Sequence, residues 1–111
     1  FEDIISRDSR YAAGAYTLLM DVIEFLGCEG RHFTAQDIMD DFRNIALDEF
    51  GPLTYHVLRE WGVTRCEDLG EMLFNLSESG RVKRDDEDSR QAFLGGYDFH
   101  ETFAQPFEPR K

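Results

Sequence analysis

Cys66 and His56 are the side chains of this chain that could serve as a nucleophile and its base. A cysteine thiolate is a strong nucleophile, and an imidazole within hydrogen-bond reach can accept the thiol proton. Cys66 falls in the first turn of a predicted helix, where the helix dipole lowers a thiol pKa, whereas Glu67 and Asp68 beside it act in the opposite direction. Nothing in the sequence fixes the geometry of the pair. We therefore predict no catalytic residue and no cofactor. A small enzyme that uses Cys66 and His56 remains the alternative interpretation.

Clusters of oxygen and nitrogen ligands are the second candidates for chemistry. Asp37, Asp40 and Asp41 lie on one predicted helix, and residues 85–88 are an acidic run. Neither cluster has the spacing or the glycine of a calcium-binding loop. The histidines are scattered along the chain, at His32, His56 and His100. A solvated acidic surface is the simpler interpretation, so we predict no metal site and keep a metal-binding protein as an alternative.

The charge balance argues against nucleic acid as a partner. The chain has 12 basic and 23 acidic residues, a formal net charge of -11. Such a charge repels phosphate backbones and anionic membrane surfaces. Its compact basic group, at Arg81, Lys83 and Arg84, precedes four acidic residues. We therefore predict no nucleic-acid binding and no membrane binding.

Residues 50–84 have the pattern of a helix, a turn, a second helix and a short strand. Gly62 suits the turn, because glycine adopts the left-handed conformation at little cost. Thr64 and Glu67 have the spacing of a capping box for the second helix, and Gly80 is placed to end that helix. Its apolar stripe consists of Leu69, Met72, Leu73 and Leu76. This pattern is typical of a helix-turn-helix that runs into a wing.

The rest of the chain supplies further helices and a possible second strand. Residues 11–26 have helical periodicity, and Thr34 with Asp37 predicts the start of a helix that continues to about Phe50. Apolar side chains at even spacing in residues 97–103 favour a strand returning along Val82, and a short helix over 98–103 is the alternative. The predicted fold class is α+β, mainly α, with four to five helices, a winged-helix-like core and a C-terminal β-hairpin.

A length of 111 residues predicts one domain. Within it we expect an N-terminal helical segment (1–30), the winged-helix-like core (31–103) and a tail (104–111). Two cysteines do not make a disulfide framework, and no stretch has the length of a membrane span or the pattern of a signal peptide. We expect a cytoplasmic protein.

Spare aromatic side chains are the remaining signal. Tyr55 and Phe74 lie off the apolar stripes of their helices, and Tyr97 and Phe99 lie on the predicted last strand. They either widen the core or form a contact surface. The function that we predict is a non-catalytic protein–protein interaction module or a homo-oligomer.

Four stretches together carry a family resemblance: RHFTAQDI, ALDEFGPL, EWGVTRCEDLGEMLFNL, and DSR followed by GYDF. With them the chain, from Phe1 to about Phe107, resembles a family of short acidic bacterial hypothetical proteins of uncharacterised function. The resemblance implies a single bacterial, cytoplasmic domain. It implies no activity and no catalytic residues.

Overall fold

A computed structural model describes residues 2–27, 34–80 and 90–107, and all the regular structure in these ranges is helical. Five α-helices follow one another along the chain: α1 (Glu2–Arg7), α2 (Ala13–Gly27), α3 (Ala35–Phe50), α4 (Thr54–Glu60) and α5 (Cys66–Glu78). Three 3₁₀ turns and one π-helical turn complete the order: Gly51–Leu53, Arg90–Phe93, His100–Ala104 (π) and Gln105–Phe107. The prediction of a mainly helical protein is confirmed.

The start and end of α3 follow from local chemistry. The Asp37 amide donates to the Thr34 hydroxyl (3.2 Å), and the Thr34 amide donates to the Asp37 carboxylate (2.9 Å). These two bonds satisfy backbone donors that a helix start leaves without intrahelical partners. The helix ends at Phe50, where Gly51-Pro52 follows. The predicted cap and end of this helix are confirmed.

α5 is the central helix of the core rather than an exposed recognition helix. It packs against the Arg90–Phe93 turn and α2, and Glu78 is the single exposed residue along its length. Six of its residues are buried: Cys66, Asp68, Leu69, Gly70, Met72 and Leu76. The two helices and the turn that the sequence predicts are present, but the second helix buries six of its residues in the core.

The predicted C-terminal β-hairpin, and with it the α+β winged-helix class, is wrong. Within the described ranges there is no strand, and the stretch 97–103 leads into the π-helical turn; residues 81–84, the other predicted strand, lie outside those ranges. Asp98 begins the turn, since its carboxylate accepts from the Glu101 amide (3.0 Å) and its carbonyl from the Thr102 amide (3.0 Å). The alternative of a short helix is close to the observed structure.

The cap of α5 also differs from the prediction. Asp68, not Glu67, accepts hydrogen bonds from the backbone amides of Thr64 (2.9 Å) and Arg65 (3.2 Å). The helix begins at Cys66, so Asp68 occupies the third helical position, from which a carboxylate reaches back over the helix start. Asp68 is 8% exposed, and it has a further donor in the hydroxyl of Tyr11 (2.6 Å).

Residues 10–12 lie across the turn between α4 and α5, and we call this contact the clasp. The Ala12 amide donates to the Trp61 carbonyl (3.1 Å), and Tyr11, 2% exposed, reaches Asp68. Gly62 has a φ of 86°, and a Cβ at this position would collide with the Arg10 carbonyl oxygen. Both the conformation and the space therefore require glycine here.

Candidate functional site

A cleft opens between the end of α1 and the second half of α5. Its volume is about 510 Å³, and we call it the α1–α5 cleft. Its lining residues come from two stretches of the chain: Ile4, Arg7, Asp8, Arg10, Phe74, Asn75 and Glu78. The lining thus combines apolar and charged side chains.

Helical periodicity places each group on the cleft wall. On α1 and the residue after it, Ile4, Arg7 and Asp8 have i, i+3 and i+4 spacing, which puts them on one side of a helix. On α5, Phe74 and Glu78 are four residues apart. Ile4 itself is 1% exposed, so it forms the buried base of its wall, whereas the charged groups form the rim.

Asp8 and Arg10 form the strongest polar contact of the cleft. The Arg10 Nη2 and Nε atoms donate to the Asp8 carboxylate at 2.6 and 2.9 Å, a paired geometry that strengthens an ion pair. The Arg10 guanidinium accordingly holds the pKa of Asp8 well below its usual range, and the same pairing raises the pKa of Arg10. Asp8 is therefore an ionised, occupied acceptor and a poor general base at neutral pH.

Asn75 and Glu71 connect this pair to α5. The side-chain nitrogen Nδ2 of Asn75 donates to Asp8 Oδ2 (3.0 Å) and to the hydroxyl of Tyr16 (3.1 Å). Arg10 Nη2 also reaches Glu71 Oε2 at 3.2 Å. Tyr16 is fully buried, and burial raises the pKa of its phenol. This hydrogen-bond network thus joins the N-terminal segment to the core. Its inner members, Asn75 and Tyr16, are neutral, and its outer members, Asp8, Arg10 and Glu71, are charged.

The four aromatic residues predicted as a contact surface lie in different surroundings. Phe74 is half-buried and lines the α1–α5 cleft, and none of the other three lines it. Tyr97 is half-buried and stacks on Phe99 with a centroid distance of 5.7 Å. Phe99 is 4% exposed and belongs to the core. Tyr55 is half-buried, and its ring meets that of His100 at 5.6 Å. The four residues are therefore not all available to a partner at once.

Cys66 does not have the surroundings of a nucleophile. It is 1% exposed, and its thiol donates to the carbonyl of Tyr97 (3.5 Å). Burial raises the pKa of Cys66 to about 11, and the charge of Glu67 acts in the same direction. His56 is exposed on α4, and no hydrogen bond joins it to Cys66. The thiol is thus protonated and inaccessible at neutral pH.

The acidic clusters are used locally where they are described. Asp37 caps α3. Asp40 accepts from the side-chain amide of Gln36 (Nε2 to Oδ1, 2.9 Å), and its Oδ1 lies 3.9 Å from Nη1 of Arg43. In the described ranges, no group of three or more His, Cys, Asp or Glu side chains is placed to hold a metal ion. The acidic run at 85–88, the basic group at 81–84, Cys28 and His32 fall outside them. Among the described helices, none has the length and apolar character needed to cross a bilayer.

Comparison with known proteins adds no relative. No protein-family model, curated protein or solved structure matches the chain. The resemblance to short acidic bacterial proteins therefore stays a prediction. The functional proposal is based on the geometry of the α1–α5 cleft.

Most of the cleft residues were not predicted as functional. Asp8 and Arg10 have the composition of a turn, and their pairing is visible only once α5 brings Asn75 and Glu71 beside them. Phe74 gave the one usable signal, because it lies off the apolar stripe of its helix.

Proposed function

We propose that the chain is a non-catalytic module that binds a protein partner in the α1–α5 cleft. The observation that carries the proposal is the cleft itself: about 510 Å³, with an apolar base at Ile4, the half-buried ring of Phe74, and charged groups at the rim. Apolar contacts surrounded by polar groups are the usual composition of a protein-binding site.

A partner other than a second copy fits the charge better. Each copy of the chain has a net charge of -11, so two copies repel each other at long range. Duplex DNA is disfavoured by the same charge and by the central position of α5. A cytoplasmic location belongs to the proposal, because Cys66 is a free, buried thiol.

The alternative, an enzyme that uses Cys66 and His56, is not supported by a specific observation. A cysteine nucleophile needs an accessible thiolate with a nearby base. Cys66 is buried, its pKa is raised to about 11, and its hydrogen-bond partner is a backbone carbonyl.

Site-specific photo-crosslinking tests the proposal in cells that naturally make the protein. A photoreactive amino acid replaces Arg7, which is exposed and lines the cleft, or Glu49, which is exposed at the end of α3 and serves as the matched control. We expect an adduct with another protein, of one defined mass, from position 7 and none from position 49. No adduct at either position, or the same adducts at both, would overturn the proposal. An adduct of twice the chain mass would show that the partner is a second copy of the chain, not another protein.

A further inference from the structure

The lining of the α1–α5 cleft differs in charge from the rest of the described fold. Residues 2–27, 34–80 and 90–107 contain 17 Asp and Glu and six Arg, a net charge of -11. The cleft lining contains two of these arginines, Arg7 and Arg10, and two carboxylates, Asp8 and Glu78, so its formal charges balance. The cleft is therefore a neutral position on an acidic surface, where short-range contacts decide which groups bind.

Both carboxylates of the lining are already engaged within the chain. Asp8 accepts from Nη2 of Arg10 at 2.6 Å, from the Arg10 backbone amide at 3.1 Å and from Nδ2 of Asn75 at 3.0 Å. Its oxygens therefore have the donors that an ionised carboxylate needs. Glu78 has an interaction of its own as well. A basic group of a partner would compete with these contacts rather than fill an open position.

The charged groups of the lining that remain open are hydrogen-bond donors on its α1 side. Within the described ranges, Arg7 is exposed and makes no hydrogen bond or ion pair, so its guanidinium keeps all its donors. Arg10 is 56% exposed and uses Nε and Nη2 for Asp8 and Glu71, which leaves the Nη1 donors open. A guanidinium group only donates, and its planar fork matches the two oxygens of a carboxylate.

Asn75 adds one open acceptor to the same lining. Its amide orientation is fixed, because Nδ2 donates to the carboxylate of Asp8, which can only accept. Its Oδ1 atom accepts no hydrogen bond from any described residue. Since no buried side-chain polar atom of the described ranges lacks a partner, this oxygen is accessible to solvent. Open donors for a carboxylate and an open acceptor for an N–H match an acidic residue in a polypeptide.

We propose, as an extension of the proposed function on which it rests, that the partner enters the cleft with a segment that carries one acidic side chain. Its carboxylate accepts from Arg7 and from Nη1 of Arg10, and a backbone N–H of the same segment donates to Oδ1 of Asn75. Glu78 repels this carboxylate from the α5 wall and so directs it to the α1 wall.

The charge of the whole fold limits the composition of such a segment. A segment that is acidic along its length is repelled by the net charge of -11 around the cleft. A single acidic position among uncharged residues has the contact with the arginines and little of this repulsion. The cleft therefore selects one carboxylate at a defined position, which general attraction or repulsion by the surface does not do.

Selection from a library of random heptapeptides displayed on phage tests the proposal without assuming a sequence. The intact chain and its R7Q variant are used as separate targets. We expect the wild-type chain to enrich sequences with Asp or Glu at one position among uncharged residues, and R7Q to show no such position. A basic consensus, no enriched sequence, or an acidic consensus that is the same for both targets would overturn the proposal.

Charge-matched variants separate the site from the general field. R7Q and R59Q each remove one positive charge, but Arg59 is exposed on α4 and does not line the cleft. Fluorescence anisotropy with a selected peptide should show about fivefold weaker binding for R7Q and under about twofold for R59Q. R7K keeps the charge without the fork, so its loss should lie between these values. Equal losses for R7Q and R59Q would overturn the site, and a melting curve confirms that each variant is folded.

An analogue of the selected peptide with the uncharged amide in place of its carboxylate is the matched ligand control. It should bind the wild-type chain about as weakly as the acidic peptide binds R7Q, and R7Q should weaken it no further. An analogue that binds as tightly as the acidic peptide would overturn the proposal, because the carboxylate would then contribute nothing.

The proposed function and this inference fail in different ways. A photoreactive amino acid at Glu78, which is exposed and lines the opposite wall, keeps Arg7 in place during crosslinking. An adduct with another protein from position 78, with a yield unchanged by R7Q, would remove the acidic segment and leave the binding function standing. No adduct from position 7 or 78, with an acidic consensus that R7Q abolishes, would leave a carboxylate-binding cleft without a protein partner in those cells. Absence of both signals would remove both proposals.

Discussion

The N-terminal segment meets the rest of the fold in two contacts of different kinds, the clasp and the α1–α5 cleft. In the clasp, residues 10–12 are pressed on the α4–α5 turn, and the polar groups of Tyr11 and Asp68 are hydrogen-bonded out of water. In the cleft, the neighbouring side chains of Arg7 and Arg10 stay in solvent. Buried, satisfied contacts stabilise a fold, and exposed charges contribute little to stability but remain available to a partner.

The largest expected effect is in the clasp, at Gly62. Gly62→Ala introduces a Cβ at positive φ against the Arg10 carbonyl, so we expect a loss of about 3 kcal/mol in the free energy of unfolding. Gly80→Ala is the matched control, because Gly80 has a similar φ of 81° with open space around it, and it should cost about 1 kcal/mol. Urea denaturation measures both. Equal losses would mean that the close contact of the clasp contributes nothing.

The second effect is at the cap of α5. Asp68→Ala leaves two backbone amides and the Tyr11 hydroxyl without their acceptor, and we expect a loss of about 2 kcal/mol. Glu67→Ala, at the position that the sequence pattern indicates as the cap residue, should change stability by less than about 0.5 kcal/mol. The same urea titrations measure both variants. A larger loss in the free energy of unfolding for Glu67→Ala than for Asp68→Ala would show that Glu67 is the residue that caps α5.

A smaller effect concerns the phenol of Tyr11. Tyr11→Phe should cost about 1 kcal/mol near neutral pH, because it removes a buried hydrogen bond. Burial, followed by the bond to Asp68, raises the pKa of Tyr11 in the folded state. The contribution of the phenol is therefore complete below the unfolded pKa of about 10 and decreases as the pH rises above it. Unfolding measured from pH 8 to 11 should show a gap between the two proteins that narrows with pH; a constant gap would contradict this assignment.

The smallest effect is expected in the cleft. Arg10→Gln removes an exposed ion pair, so stability should fall by about 0.5 kcal/mol. The lowered pKa of Asp8 means that this contribution is present above the unfolded pKa of about 4 and is lost as the pH falls below it. Denaturation at pH 7 and pH 3 measures the difference. A loss as large as that of Asp68→Ala would remove the distinction between clasp and cleft.

The sequence predictions were accurate where a feature depends on residues close together in the chain, and they failed where it depends on residues far apart. The α3 cap depends on Thr34 and Asp37, three residues apart, and it was predicted correctly. The hairpin was wrong because Phe99 and Phe103 have a spacing of four, which suits one face of a strand and one face of a helix equally. Their rings in fact pack together at 4.9 Å in the helical turn.

The cleft depends on contacts that no local pattern contains. Asp8 and Asn75 are 67 residues apart in the chain, but in the fold Asn75 Nδ2 lies 3.0 Å from Asp8 Oδ2. The sequence indicates that α5 carries several acidic residues. Only the position of α1 beside it makes part of α5 a wall of the α1–α5 cleft. The sequence pattern places Phe74 off the apolar stripe of its helix, but the surroundings of Phe74 could not be derived from α5 alone.

The use of arginine as the sole type of basic residue in the described fold has a practical consequence for handling the protein. Lys83 and Lys111 are the two lysines of the chain, and both fall outside the ranges that form the cleft. Among the side chains of the chain, amine-directed reagents therefore attach at those two lysines. A surface, a dye or an affinity tag coupled through lysine amines therefore leaves the described lining residues of the cleft unmodified.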